Sequence, residues 1–171
     1  MSGLMAVAIA CAALTGCGYH VSGHADLLPK NLKTIAVPAF ANNTTRYRLS
    51  DRMAQSITRE FNTRTRYRVI HDVNTADAVL RGVVMNIMSF PTTFDTVSGR
   101  AAGVQLNVIL QLTLVERATG KTLYTNPGME VRERYEISTD QVAYFEESDT
   151  ALDRLSRHVA TAVVTAILEA F

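Results

Sequence analysis

A two-layer α/β (α+β) sandwich is the fold class this sequence predicts: a four-stranded mixed sheet with two helices on one face, in the order β-α-β-β-β-α. Three observations predict it. Val104, Leu106, Val108, Leu110, Leu112 and Leu114 fall on one side of an extended segment, and Gln105, Asn107, Gln111 and Thr113 fall on the other. Period two over that length requires a sheet with one core face and one polar face. Two other segments repeat at helical spacing: Leu49, Met53, Ile57 and Phe61 in the first, and Leu152, Leu155, Val159, Ala162, Val163, Ala166 and Ile167 in the second. Shorter β-branched runs before and between these segments supply the remaining strands.

Taken in order, Gly18 to Lys33 reads as a short linker. Thr34 to Phe40 is β-branched and apolar, hence a strand. Pro38 cannot donate to a ladder, so this strand is expected at an edge or a bulge. Asn42 to Thr45 is a turn, and the Leu49–Phe61 stripe is an amphipathic helix with Arg52, Arg59 and Glu60 off the buried face. Tyr67 to Ile70 opens a second strand region. His71 to Thr75 interrupts it, Ala78 to Phe90 continues it, and Pro91 ends it. The β-α-β start is expected to place strands one and two parallel, by a right-handed crossover. Strand three spans Arg100 to Arg117, and Ala118 to Lys121 is a hairpin turn with Gly120 able to take a positive φ. Strand four runs from Thr122 to Ile137, with a break or bulge at Asn126-Pro127-Gly128. Met129, Val131, Tyr135 and Ile137 face inward there, against Glu130, Arg132, Arg134 and Glu136. Thr150 with Asp153 resembles a capping box at the start of the last helix, and Glu146, Glu147 and Asp149 complement its positive end.

The N-terminus carries a different message. An uncharged apolar run from Leu4 to Leu14 leads into Leu14-Thr15-Gly16-Cys17. The run is about half of the ~20 residues a membrane-spanning helix needs and matches the core of a secretory signal. Small residues directly before a cysteine suit a signal peptidase, and the whole has the layout of a bacterial lipoprotein signal. Met1-Ser2-Gly3 lacks the positive charge with which such a signal ordinarily starts. The competing reading is a core helix in which Cys17 is an ordinary buried thiol; a run of Ala, Gly and Thr before a Gly-rich coil makes a poor core helix. The expected division is residues 1–16 as a removed signal, 17–33 as the lipidated N-terminus and linker, and 34–171 as a single domain. Cys17 is the expected lipidation site. Gly18, where Asp would favour inner-membrane retention in enteric bacteria, leans towards the outer membrane.

The chain has 171 residues and is 47% hydrophobic, enough for one core. Cys11 leaves with the signal, so the mature domain has neither a disulfide nor a cysteine zinc site. Lys+Arg 17 against Asp+Glu 16 leaves a net charge of +1, which argues against a nucleic-acid binder. The basic residues are uneven: Arg46, Arg48, Arg52, Arg59, Arg64, Arg66 and Arg68 face only Asp51 and Glu60 within residues 46–68. Such a cluster is a solvated helix face or a surface for an anionic partner. No Gly-rich phosphate loop and no Gly-x-Ser-x-Gly elbow occurs. His20 and His24 have the spacing of a helical metal pair but sit in a Gly-containing coil. His71 and His158 are expected on the surface. The expectation is no catalytic site, no metal and no cofactor.

Several stretches together resemble one family. They are Cys17-Gly18-Tyr19-His20-Val21, Leu28-Pro29, Thr34 to Thr44, the Arg-rich helix ending in Glu60-Phe61, and Ala76 to Gly82. The combination is similar to LptE, the lipopolysaccharide-assembly lipoproteins, over essentially the whole mature chain. The resemblance implies an outer-membrane lipoprotein on the periplasmic side, not an enzyme. It implies a plug inside the LptD β-barrel that assists its assembly and helps deliver lipopolysaccharide to the outer leaflet. It also implies lipopolysaccharide contact by basic residues at the tip between strands two and three. That tip is Phe94 to Arg100, and Arg100 is its only basic residue. The region after strand four, Ser138 to Ser148, has no Lys or Arg for a second contact. The alternative is another periplasm-facing lipoprotein with a similar first strand, a penicillin-binding-protein activator or a curli-secretion type. The short linker counts against an activator, which must reach across the periplasm.

Overall fold

The computed structural model describes residues 29, 32–46, 48–97, 99–136 and 141–170, with the backbone alone for 141–149. Cys17, the segment before it, and the His20/His24 pair lie outside these residues. The elements are β1 (Thr34–Ala36), β2 (Ala41–Asn42), α1 (Arg48–Arg64), β3 (Arg68–Ile70), β4 (Ala78–Phe94), β5 (Ala101–Glu116), β6 (Thr122–Glu136) and α2 (Gln141–Glu169). Apart from short additions, the expected β-α-β-β-β-α order holds. The sheet is mixed, in the order β3-β1-β4-β5-β6, with β2 also paired to β4.

Both helices pack on one face. Leu49, Met53, Ile57 and Phe61 of α1 and Leu155, Val159, Val163 and Ile167 of α2 are all fully buried. They form one cluster with Val108, Leu110, Leu112 and Leu114 of β5. Polar contacts fasten the helices at their rim. Arg52 meets Asp153 at 3.0 Å, Arg64 donates to Thr165 Oγ1 at 3.0 Å, and Thr161 Oγ1 donates to Glu60 Oε1 at 3.1 Å.

The sheet corrects the expected four strands in three places. β1 ends at Ala36 rather than Phe40, and it lies inside the sheet, parallel to both β3 and β4. Pro38 falls beyond its last paired residue, where no ladder bond is required of it. The chain resumes pairing as β2, at Ala41↔Val83 and Asn42↔Val84. The region read as one interrupted strand is two strands, β3 and β4, on opposite sides of β1. The segment between them steps past β1 and buries Ala76 with Ala36 and Val79, a small second core on the face away from the helices. β4 does not stop before Pro91 but continues to Phe94. At Pro91 the strand has β5 on one side only, and a proline nitrogen turned to an open edge forfeits no ladder bond.

The last helix also starts earlier than its expected cap. It begins at Gln141, so Thr150 and Asp153 lie inside it; no Pro or Gly occurs from 141 to 169 to stop it. The expected bulge in strand four is present: Leu110 pairs with Met129 but Leu112 with Asn126, so Pro127 and Gly128 together stand opposite Gln111 alone. Gly120 takes φ 70° in the β5–β6 turn.

Asp77 anchors the start of β1. Its Oδ2 accepts from Lys33 N at 2.8 Å, Thr34 N at 2.9 Å and Thr34 Oγ1 at 2.9 Å, and its own N–H donates to Thr34 Oγ1 at 3.0 Å. Arg117 closes the other side, donating from N to Asp77 O at 2.9 Å and from Nε to Ala76 O at 2.7 Å. The backbone N–H groups of Lys33 and Thr34 hold the Asp77 carboxyl below its ordinary value near 3.8, against a smaller opposing effect of burial. A carboxylate with a depressed folded-state pKa contributes stability that is fully present above the unfolded value. That contribution is lost as the pH falls through the folded value. Asp77→Ala is expected to cost about 1–3 kcal/mol at neutral pH. Urea midpoints of wild type and variant should converge as the pH drops below about 4; a gap that persists unchanged to pH 2 would contradict this.

Gly82 has a different role. A Cβ at Gly82 would lie 2.4 Å from the Phe40 ring, which is itself buried. Phe40 follows the Pro38 bend, so the glycine lets the β1–β2 link lie flat on β4. Gly82→Ala is expected to destabilise by about 1–3 kcal/mol through overpacking. Phe40→Leu in the same chain should recover part of that loss, and simple addition of the two costs in thermal melts would refute the contact.

Candidate functional site: the tip of the β4–β5 hairpin

β4 has 17 residues and β5 has 16, whereas β1 and β2 accompany β4 no further than Val84. The hairpin therefore continues beyond the rest of the sheet on that side. Its turn is closed by Asp95 N donating to Arg100 O at 2.8 Å and Gly99 N donating to Asp95 O at 2.9 Å. Val97 N donates to Asp95 Oδ1 at 3.1 Å, and Gly99 takes φ 67°. These bonds fix the backbone of a tip at which Phe94, Thr96, Val97 and Arg100 are exposed. Arg100 is exposed there, as the sequence predicts. Sequence reasoning placed Phe94 and Val97 in the tip but gave them no role: Phe94 is 61% and Val97 94% exposed, and Phe90 further down β4 is 45% exposed. The available signal was two large apolar residues, Phe94 and Val97, set among Thr92, Thr93, Asp95 and Thr96 at a turn.

The uncovered face of the sheet carries the polar side of β5. Asn107 accepts from Gln105 Nε2 at 2.9 Å and donates to Glu130 Oε1 at 3.0 Å. Arg132 clamps Glu130 with two bonds, at 3.0 and 3.1 Å. That hydrogen bonding and the charge of Arg132 hold the Glu130 carboxyl below its ordinary value, and Glu130 in turn raises the Arg132 guanidinium. The opposite, helix-facing side of β6 holds Glu133, buried beneath α2 with His158 Nδ1 at 2.5 Å and Arg154 Nε at 3.9 Å. His158 thus sits on the surface as expected but also serves the fold.

Part of the arginine cluster serves the fold and part is exposed. Arg52 and Arg64 fasten the helices, and Arg66 lies 5.5 Å from the Tyr67 ring centroid. Arg46, Arg48, Arg59 and Arg68 are exposed. His71 and Arg59 line a shallow groove of about 460 Å³ with Asp51, Gln55 and Thr58, remote in sequence from the hairpin tip. Among the described residues no group of three His, Cys, Asp or Glu is placed to hold a metal ion. Among them, too, no helix is long and apolar enough to cross a membrane.

The fold is that of a class of bacterial lipoprotein domains. The rare lipoprotein B of Shewanella oneidensis superposes with a TM-score of 0.51 at 14% identity, covering 80% of this chain and 95% of that one. Lipoprotein B of Nitrosomonas europaea superposes with a TM-score of 0.53 at 14% identity, covering 85% and 87%. At such identities the likeness concerns the fold. No curated protein matches the sequence at a significant level. The family model for LptE, lipopolysaccharide assembly, matches residues 32–167, and the chain belongs to the LptE family. This is a non-enzymatic lipoprotein family with a role in lipopolysaccharide assembly.

Proposed function

We propose that the protein is lipidated at Cys17 after removal of residues 1–16 and is held at the periplasmic side of the outer membrane. There it plugs the lumen of an LptD-like β-barrel, assists the barrel's assembly, and contacts lipopolysaccharide through Arg100 at the hairpin tip. The single observation that carries this reading is the family match across residues 32–167. The geometry supports it. A plug in a wet barrel needs a compact core with a polar exterior, and the Gln105–Asn107–Glu130–Arg132 network lies on the sheet face the helices leave open. The hairpin sends one cation to the far end of the domain, and a guanidinium can meet a phosphate with two parallel hydrogen bonds.

A pull-down of the full chain in mild detergent is expected to recover a large β-barrel protein; recovery of a peptidoglycan synthase and no barrel would sink the reading. Arg100→Ala is expected to weaken lipopolysaccharide binding by about one to two orders of magnitude, the ~1.5–3 kcal/mol of a hydrogen bond to a charged group. Its thermal midpoint, measured alongside, separates any loss of fold from loss of binding, and the turn keeps its backbone closure from Asp95 N to Arg100 O. Unaltered affinity in a direct titration would remove Arg100 from the site.

A further inference from the structure

We propose that the open side of β4, from Met85 to Val97, is a track for the acyl chains of an anionic lipid whose phosphate lies at Arg100. The inference rests on the lipopolysaccharide reading above and adds which part of the lipid the protein grips. Among the described residues the exposed large hydrophobic side chains are Met85, Phe90, Phe94 and Val97, at 42%, 45%, 61% and 94%. All four fall on one strand and its turn. Single exposed apolar residues need no explanation, but a run of them along one strand does. Phe90 pairs with Gln105 and Met88 with Asn107, so both stand on the face the helices leave uncovered.

Two kinds of partner could cover such a strip: a peptide strand added to the edge, or hydrocarbon. The backbone of β4 discriminates between them. A strand adds to a regular row of N–H and C=O groups. Here the register shifts between Val84 and Asn86, between Pro91 and Thr93, and again between Thr93 and Phe94, and Pro91 has no N–H to offer. Bulges and proline are the means by which sheet edges are closed to further strands. The edge is thus blunted for hydrogen bonding and yet carries no charge from Met85 to Phe94, with large apolar side chains exposed along it. Acyl chains demand area and no hydrogen bonds. Met85 and Met88 add flexible, polarisable side chains that mould to an irregular surface.

The dimensions and the charge agree. Met85 to Phe94 is nine steps of about 3.3 Å, roughly 30 Å. An extended acyl chain spans about half of the ~30 Å hydrocarbon core of a bilayer, so the strip accommodates one along its length. Arg100, with five N–H donors, stands at the end of the strip where the headgroup would lie.

The test uses the full chain carried in amphipol, titrated with lipopolysaccharide and with the same material stripped of its acyl chains by base. Intact lipopolysaccharide is expected to bind at least tenfold more tightly than the stripped form. Phe90→Ser with Phe94→Ser should remove that preference, leave the affinity for the stripped form unchanged, and leave the thermal midpoint unchanged. Met85→Gln should have a smaller effect in the same direction. Arg100→Ala should weaken both forms. Equal affinity for the two forms, or an unaltered preference in the double variant, would overturn the track. So would a double variant that binds lipopolysaccharide as wild type does but no longer recovers a barrel, since the strip would then be a protein contact. Recovery of the barrel by a variant that has lost the acyl preference would leave the plug reading standing and support the track. A wild type that shows no acyl preference but recovers the barrel would fail the track alone.

Discussion

The length mismatch between β4 and the strands on its far side is the constraint from which the rest of this architecture follows. β1 has three residues and β2 has two, and they reach only Val84 of a seventeen-residue strand. Up to that point β4 lies within a sheet, its Ala78, Leu80 and Val84 fully buried under the helices. Past it, β4 has β5 alone. One chain segment therefore belongs to two environments, and the boundary is a bulge at Met85. The proximal half supplies the core; the distal half supplies exposed surface.

That division makes the β1 anchor important out of proportion to its size. A three-residue strand between two others cannot hold itself by its own ladder. Asp77 does so by gathering two backbone N–H groups and a hydroxyl on one carboxylate oxygen, and Arg117 ties the same corner to the end of β5. A charge-assisted acceptor of this kind is stronger than the neutral bonds around it. Gly82 plays the complementary part at the next corner, where the Phe40 ring occupies the space a side chain would need.

The distribution of these features explains what was legible in the sequence. The period-two run of β5 and the four-residue stripe of α1 are set by local pattern, and both elements stand where the pattern puts them. The Pro127-Gly128 bulge was equally readable, because proline and glycine act on their own backbone. The position of β1 was not. Pro38 signals an edge only if the strand reaches it, and where the strand ends is decided by its neighbours. Pro91 misled in the opposite sense: it ends an interior strand but not an edge, and edge status is a property of the whole sheet. Glu133 alternates correctly with Arg132 and Arg134, yet nothing local says that His158 and Arg154 will lie over it. At the candidate site Arg100 was readable as the one cation in a turn, whereas Phe90 was indistinguishable from a core residue of its strand until its surroundings were known.

Large apolar side chains stay exposed on β4 although the edge of a sheet is where they cost most. Exposed hydrophobic strand edges invite aggregation, and sequences ordinarily place charges on them. β6, the other long edge of this sheet, does so, with Glu130, Arg132, Arg134 and Glu136 alternating along it. β4 is protected instead by means that act on the backbone, a bulge and a proline, while its distal half stays uncharged and leaves Met85, Phe90 and Phe94 exposed. Had solubility been the only requirement, a charged residue at position 90 or 94 would have met it without disturbing any buried contact. The two edges thus solve one problem in different ways. The way used on β4 is the one that closes the strand to a further peptide strand while leaving Met85, Phe90 and Phe94 uncovered.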